Sequence, residues 1–151
     1  FDQTYLRGIK MQRFLWLALL VVFTIFIFFC SHLPANESAK MSGYVAQVFN
    51  AAFDMLDYKY DGSVEYTIRK LAHFMEFGGQ SWLLCKTYNA FSVSNRVSTG
   101  YILFFGLMTA VVDEYIQFFA PGRECRVTDV LLDFSGTFCM WLSYRIYQWT
   151  K

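Results

Sequence analysis

The stretch IRKLAHFMEFGGQSWLLC, Ile68 to Cys85, is apolar enough for a membrane yet carries Arg69, Lys70, His73 and Glu76 in its first turns. Lys70, His73 and Glu76 advance by three, which keeps them on one side of a helix. Charged groups in lipid are expensive, so they face protein, water or a ligand and mark a functional site. An imidazole beside a carboxylate suits proton transfer near neutral pH. Neighbouring ammonium and guanidinium groups suit phosphate or carboxylate binding. Two more groups have the same character: Asp113 and Glu114 with Gln117, and Asp129 with Asp133 one turn on, with Arg123 in the segment between them. The resulting expectation is a catalytic set of His73, Glu76, Glu114 and Asp129, with His73 as acid or base oriented by Glu76 or Glu114. A substrate-binding set of Arg69, Lys70, Gln117 and Arg123 accompanies it.

No nucleophile stands out. Ser81, Thr128 and Ser135 lack a recognisable elbow and Cys125 has no defined base, so an activated water or transfer between two substrates is preferred to a covalent route. His73, Glu76, Glu114, Asp129 and Asp133 could offer oxygen-rich metal ligation suited to Mg or Mn. Lys70 and Arg123 oppose a cation there, so the sequence alone predicts neither a metal nor another cofactor.

The elements that position these residues follow from hydropathy. Of 151 residues, 56% are apolar and 21% aromatic, too greasy for an ordinary soluble domain. The run FLWLALLVVFTIFIFFC, extended to Leu33, reaches about 30 Å as a helix and matches a bilayer core. Three further apolar runs, separated by KTYNAFSVSNR and PGRECR, complete spans at about 14–33, 68–86, 97–119 and 127–147. The predicted fold is all-α: one domain over 1–151, an integral membrane four-helix bundle. An amphipathic surface helix is expected between the first and second spans, from the helical spacing of apolar residues over Tyr44 to Leu56; a lid packed on the bundle fits the same spacing. Gly78, Gly79, Gly106 and Gly136 read as close-packing points between helices.

With four alternating spans, the start of the second, the end of the third and the start of the fourth share one membrane face. All three polar groups therefore meet at one level. Basic flanks at Arg7, Lys10, Arg13, Lys86, Arg96, Arg145 and Lys151 place both termini in the cytoplasm, with Trp16, Trp82, Trp141 and Trp149 toward that side. The apolar run over Phe14 to Cys30 lacks a following small-residue cleavage site, so no signal peptide is expected. A net charge of +1 excludes nucleic acid as an electrostatic partner. Cys30, Cys85, Cys125 and Cys139 lack metal-ligand spacing and read as packing thiols. Asp113 is expected to pair with Arg126, and Glu37 and Glu124 to be solvated.

Four ordered segments carry a family resemblance: CSHLPANESAKMSG against an FSSxP-type pattern, RKLAHFMEFGG against RKxAHFxEF, DEYIQFFAPGR against DExxQxFxPGR, and TDVLLDFSG against an Asp followed by DxxG. Together they cover most of Cys30 to Gly136, and the chain resembles the VanZ-like membrane proteins. Cys30 and Ser31 stand where the pattern has a Ser pair, and Asp133 stands where some members carry Asn, so the resemblance assigns no carboxylate role there. It implies an integral protein of the bacterial cell envelope, in the cytoplasmic membrane, linked to low-level resistance to teicoplanin, a lipoglycopeptide. By motif match, Arg69, Lys70, His73, Glu76, Glu114, Gln117, Arg123 and Asp129 are the implied site members.

Three functions fit these residues. The first is an enzyme acting at the outer leaflet on a lipid-linked or cell-wall substrate by acid–base chemistry. The second binds or translocates an anionic envelope lipid or a lipoglycopeptide without reaction. The third is a structural, partner-recruiting bundle. Membrane lipids are partners in all three.

Overall fold

In the computed structural model, residues 3–38, 40 and 62–150 are described. They form four long helices: α1 Gln3–His32, α2 Gly62–Ala90, α3 Asn95–Phe118 and α4 Val127–Trp149. A short helical stretch over 35–38 follows Pro34, and there is no strand among the described residues. The all-α expectation holds; α1 begins well before its predicted span and α2 exceeds its span at both ends, whereas α3 and α4 agree with theirs to within two residues at each end. The anticipated surface helix over Tyr44 to Leu56 lies outside the described residues.

Local chemistry accounts for the boundaries. The link between α2 and α3 turns at Ser92 in the left-handed region (φ 58°). After α3, Pro121 cannot continue a helix, and Gly122 supplies the positive φ of 75° that the tight link to α4 requires. Arg126 is extended at the start of α4 (φ −132°), and Asp129 in its first turn complements the positive end of the helix dipole.

α1 and α4 each pack on α2 and α3, and the α2–α4 contact is the most extensive. Glycine makes that closeness possible. A side-chain carbon at Gly136 would run into the backbone carbonyl of Phe74 on α2, and one at Gly106 would strike Thr137 on α4. Gly79 sits against the ring of Phe23 on α1, where an added carbon would lie 3.2 Å from the ring edge. Small residues at these crossings are what helix association in lipid selects.

The interior is layered. Ile27, Phe77 and Ala110 form one apolar cluster, and Leu84, Cys85 and Ile102 another. Around them the buried set is unusually polar, including Ser31, Gln80, Ser81, Thr109, Asp113, Glu114, Asp133 and Thr137. The Gln80 amide donates to Thr24 Oγ1 at 2.9 Å and to Thr109 Oγ1 at 3.3 Å, so one side chain ties α1, α2 and α3. Large apolar residues point outward instead, among them Phe14, Val22, Phe29, Phe104, Phe118, Leu131 and Ile146. Polar inside and apolar outside is the pattern that a lipid surrounding favours. By length and composition, Lys10–His32 and Asn95–Phe118 are able to cross a membrane.

The end of the bundle formed by the α1 N-terminal half and the C-terminal half of α2 holds an aromatic cluster. Trp16 and Trp82 meet edge to face at 5.5 Å, and the Lys86 ammonium lies over Trp16, Trp82 and Tyr144. Arg145 is buried and donates to Asn95 O, Ser98 Oγ and Thr99 Oγ1. Of the cysteines, Cys85 is buried, whereas Cys125 and Cys139 are exposed, which corrects the reading of all four as packing thiols.

Candidate functional site: a polar cavity at one end of the bundle

At the opposite end a cavity of about 190 Å³ opens between α2, α3, α4 and the α3–α4 link. α2 contributes Tyr66, Arg69, Lys70 and His73; α3 contributes Glu114 and Gln117; the link contributes Gly122, Arg123, Glu124 and Arg126; α4 contributes Asp129, Leu132 and Asp133. Of the residues singled out in the sequence, Arg69, Lys70, His73, Glu114, Gln117, Arg123 and Asp129 line it. Glu76 does not; it lies one turn further into α2, half-buried.

Ion pairing divides the cavity. Lys70 Nζ pairs with Asp129 Oδ1, and also lies 5.2 Å above the Tyr66 ring. At the outer rim Arg126 pairs with the exposed Glu124 at 2.5 Å. This corrects the expected Asp113–Arg126 pair, and Glu124 is held rather than merely solvated. The Arg126 backbone N–H instead donates to Glu114 Oε2 at 2.9 Å, fixing the α4 start against α3. Asp113 is fully buried: Ser31 Oγ donates to its Oδ1 at 2.5 Å and Gln117 Nε2 to its Oδ2 at 2.8 Å.

Two groups are left with buried polar atoms that have no hydrogen-bond partner. Arg123 reaches Cys30 O only at 3.5 Å, and its buried Nε has no hydrogen-bond partner. Burial and then the nearby Arg69 cation lower the Arg123 pKa from its usual value, with Asp113 and Glu114 acting the other way. Arg69 makes no ion pair among the described residues. The second group is at the cavity floor. His73 Nδ1 lies 3.9 Å from Asp133 Oδ1, too far for a hydrogen bond, and both His73 Nδ1 and Asp133 Oδ2 are buried without partners. The carboxylate facing His73 is thus Asp133, whereas Glu76 or Glu114 was expected to orient it.

Sequence reasoning missed Ser31 and the carbonyl of Cys30, which bring the end of α1 to the site. Their signal was the motif beginning at Cys30, directly after the first span. Asp133 was visible, one turn from Asp129, but its role as the partner of His73 was not.

A helical bundle with an apolar exterior and a buried, partly unpaired polar cluster at one end defines a membrane-protein class. Residues 15–148 match the VanZ/LLP1 family, and the chain belongs to it. No curated protein and no solved structure matches the chain.

Proposed function

We propose that this VanZ-family protein crosses the bacterial cytoplasmic membrane four times with both termini inside. Its cavity, open on the extracytoplasmic side, receives the anionic headgroup of a lipid-linked or cell-wall substrate for acid–base chemistry. The observation that carries this reading is the buried, unpartnered Nε of Arg123 beside Arg69, next to the His73–Asp133 pair. A planar guanidinium with an empty donor is suited to a phosphate or carboxylate oxygen. Size supports a headgroup: 190 Å³ holds on the order of six waters, and falls below the roughly 300 Å³ at which sites for drug-sized ligands begin. A whole lipoglycopeptide does not fit inside, so a link to teicoplanin resistance would run through an envelope substrate.

In this reading Arg69 and Arg123 hold the headgroup, His73 handles the proton with Asp133 beside it, and Asp129 holds Lys70 in place. Glu76, away from the lining, has no direct contact role. Binding without reaction is the second reading. The apolar cluster of Ile27, Phe77 and Ala110 one turn beneath the floor weighs for retention of a ligand over its passage through the bundle.

The test is mass spectrometry of lipids that co-purify with the protein and with Arg123→Ala and His73→Ala. An anionic or lipid-linked species enriched in the wild type and in His73→Ala but lost in Arg123→Ala is expected. Only bulk phospholipid in all three would overturn the headgroup reading and leave a scaffold. Conversion of the bound species by wild type and not by His73→Ala separates chemistry from binding.

A further inference from the structure

Below the guanidiniums, His73 on α2, Asp113 on α3 and Asp133 on α4 bring one ligand atom each within 4.8 Å of one another. Asp113 and Asp133 are 0% and 1% exposed. Among the described residues no Lys or Arg forms an ion pair with either, because Lys70 is engaged by Asp129. Two ionised carboxylates this deep are costly without a cation. Hydrogen bonds from Ser31 and Gln117 answer for Asp113, but Asp133 Oδ2 and His73 Nδ1 are buried without a hydrogen-bond partner.

We propose that His73, Asp113 and Asp133 bind one divalent transition-metal ion, of which Mn²⁺ and Zn²⁺ fit the donor set. The 3.9 Å between His73 Nδ1 and Asp133 Oδ1 is long for a hydrogen bond, and since two donors each about 2.0–2.2 Å from a shared ion lie about 3.3–3.6 Å apart at a tetrahedral angle, a side-chain shift of a few tenths of an ångström lets both ligate one ion. One imidazole with two carboxylates disfavours thiolate-seeking ions and, through the nitrogen, Mg²⁺ and Ca²⁺. Ser31 and Gln117 already hold the Asp113 carboxylate, as outer partners of metal ligands do. His73 and Asp133 line the cavity, so three protein ligands leave open positions facing it, as in accessible rather than sealed metal sites. The objection that Lys70 repels a cation is answered by its pairing with Asp129. Asp133, at a position where the family pattern also admits Asn, makes this a property of this chain.

The inference deepens the proposed function and rests on that reading only for what reaches the open side of the ion. An anionic oxygen held by Arg69 and Arg123 would there meet a Lewis acid. His73 then serves as a ligand, and the proton-handling role passes to Glu114, the lining carboxylate with no ion pair among the described residues.

The full-length chain in detergent, stripped with chelator and dialysed, is titrated with MnCl₂ and followed by electron paramagnetic resonance; ZnCl₂ competes. Saturation at one ion per chain is expected, with nitrogen coupling from a directly bound imidazole in pulsed spectra. Asp133→Asn, close to isosteric, weakens binding about tenfold or more, and His73→Ala removes the nitrogen coupling. Glu37→Gln, at an exposed carboxylate away from the cavity lining, keeps the wild-type affinity and controls for general loss of charge, while circular dichroism of each variant confirms folding. No saturable site in the wild type, or a site unchanged in both folded ligand variants, overturns the proposal. No substrate is present, so this failure is distinct from failure of the headgroup reading, which the lipid analysis scores.

Discussion

Ser31 joins the end of the first helix to Asp113, an acid with no exposed surface, through a hydroxyl that donates to its Oδ1. Ser31→Ala leaves Asp113 Oδ1 with one donor fewer in a dry site and should cost about 1–3 kcal/mol, read as a lower unfolding temperature in detergent. Arg123→Lys tests the cavity rim more finely than truncation. The ammonium keeps the charge but not the fork, so anionic lipid retention should fall toward that of Arg123→Ala if bidentate binding matters. Equal retention in the lysine variant would reduce Arg123 to a point charge. At this scale the sequence was informative about residue types and silent about pairs. Threefold spacing placed Lys70, His73 and Glu76 on one helical side, but a side spans a wide arc. Whether His73 meets Glu114 or Asp133 depends on how far each helix is rotated about its axis, which no single-helix pattern fixes.

That rotation is set by the elements, and chiefly by α2 against α4. Gly136 lets the Phe74 carbonyl approach the α4 backbone, and Gly106 admits Thr137. With those contacts made, Lys70 falls on Asp129 and His73 on Asp133, one helical turn apart along both helices. Gly136→Leu should force the helices apart, destabilise the fold by about 1–3 kcal/mol or more, and release lipid even though every cavity residue is intact. Thermal unfolding and lipid retention measured on the same sample check both parts. Gly100, with open space around it, serves as the control and should tolerate alanine. Helix existence and order were readable from hydropathy and from the Asn, Pro and Gly punctuation of the two short links. The involvement of α1 was not, because Cys30 and Ser31 sit at the end of an apolar run whose only apparent demand is to fill a bilayer.

For the whole molecule, the proposed four-span topology places Cys125 outside the cell, in the link beside the cavity, where it is exposed. A membrane-impermeant maleimide added to intact cells should label the native chain, and Cys125→Ser should lose that label. Labelling that requires broken cells would invert the topology or remove a span. Convergence of three polar groups at one end was legible because alternating helices leave few choices, and the Lys70–Asp129 pair together with His73, Asp113 and Asp133 within 4.8 Å of one another show those groups assembled.

The Gln80 amide, reaching a threonine on each of two neighbouring helices, works as a key cut for one lock. Turning α1 by a single residue, about 100°, would swing Thr24 toward the oily surroundings and leave the amide with an empty hand. In a bilayer, where hydrocarbon outside is no less welcoming than hydrocarbon within, such a key chooses among azimuths that grease alone would leave nearly equal.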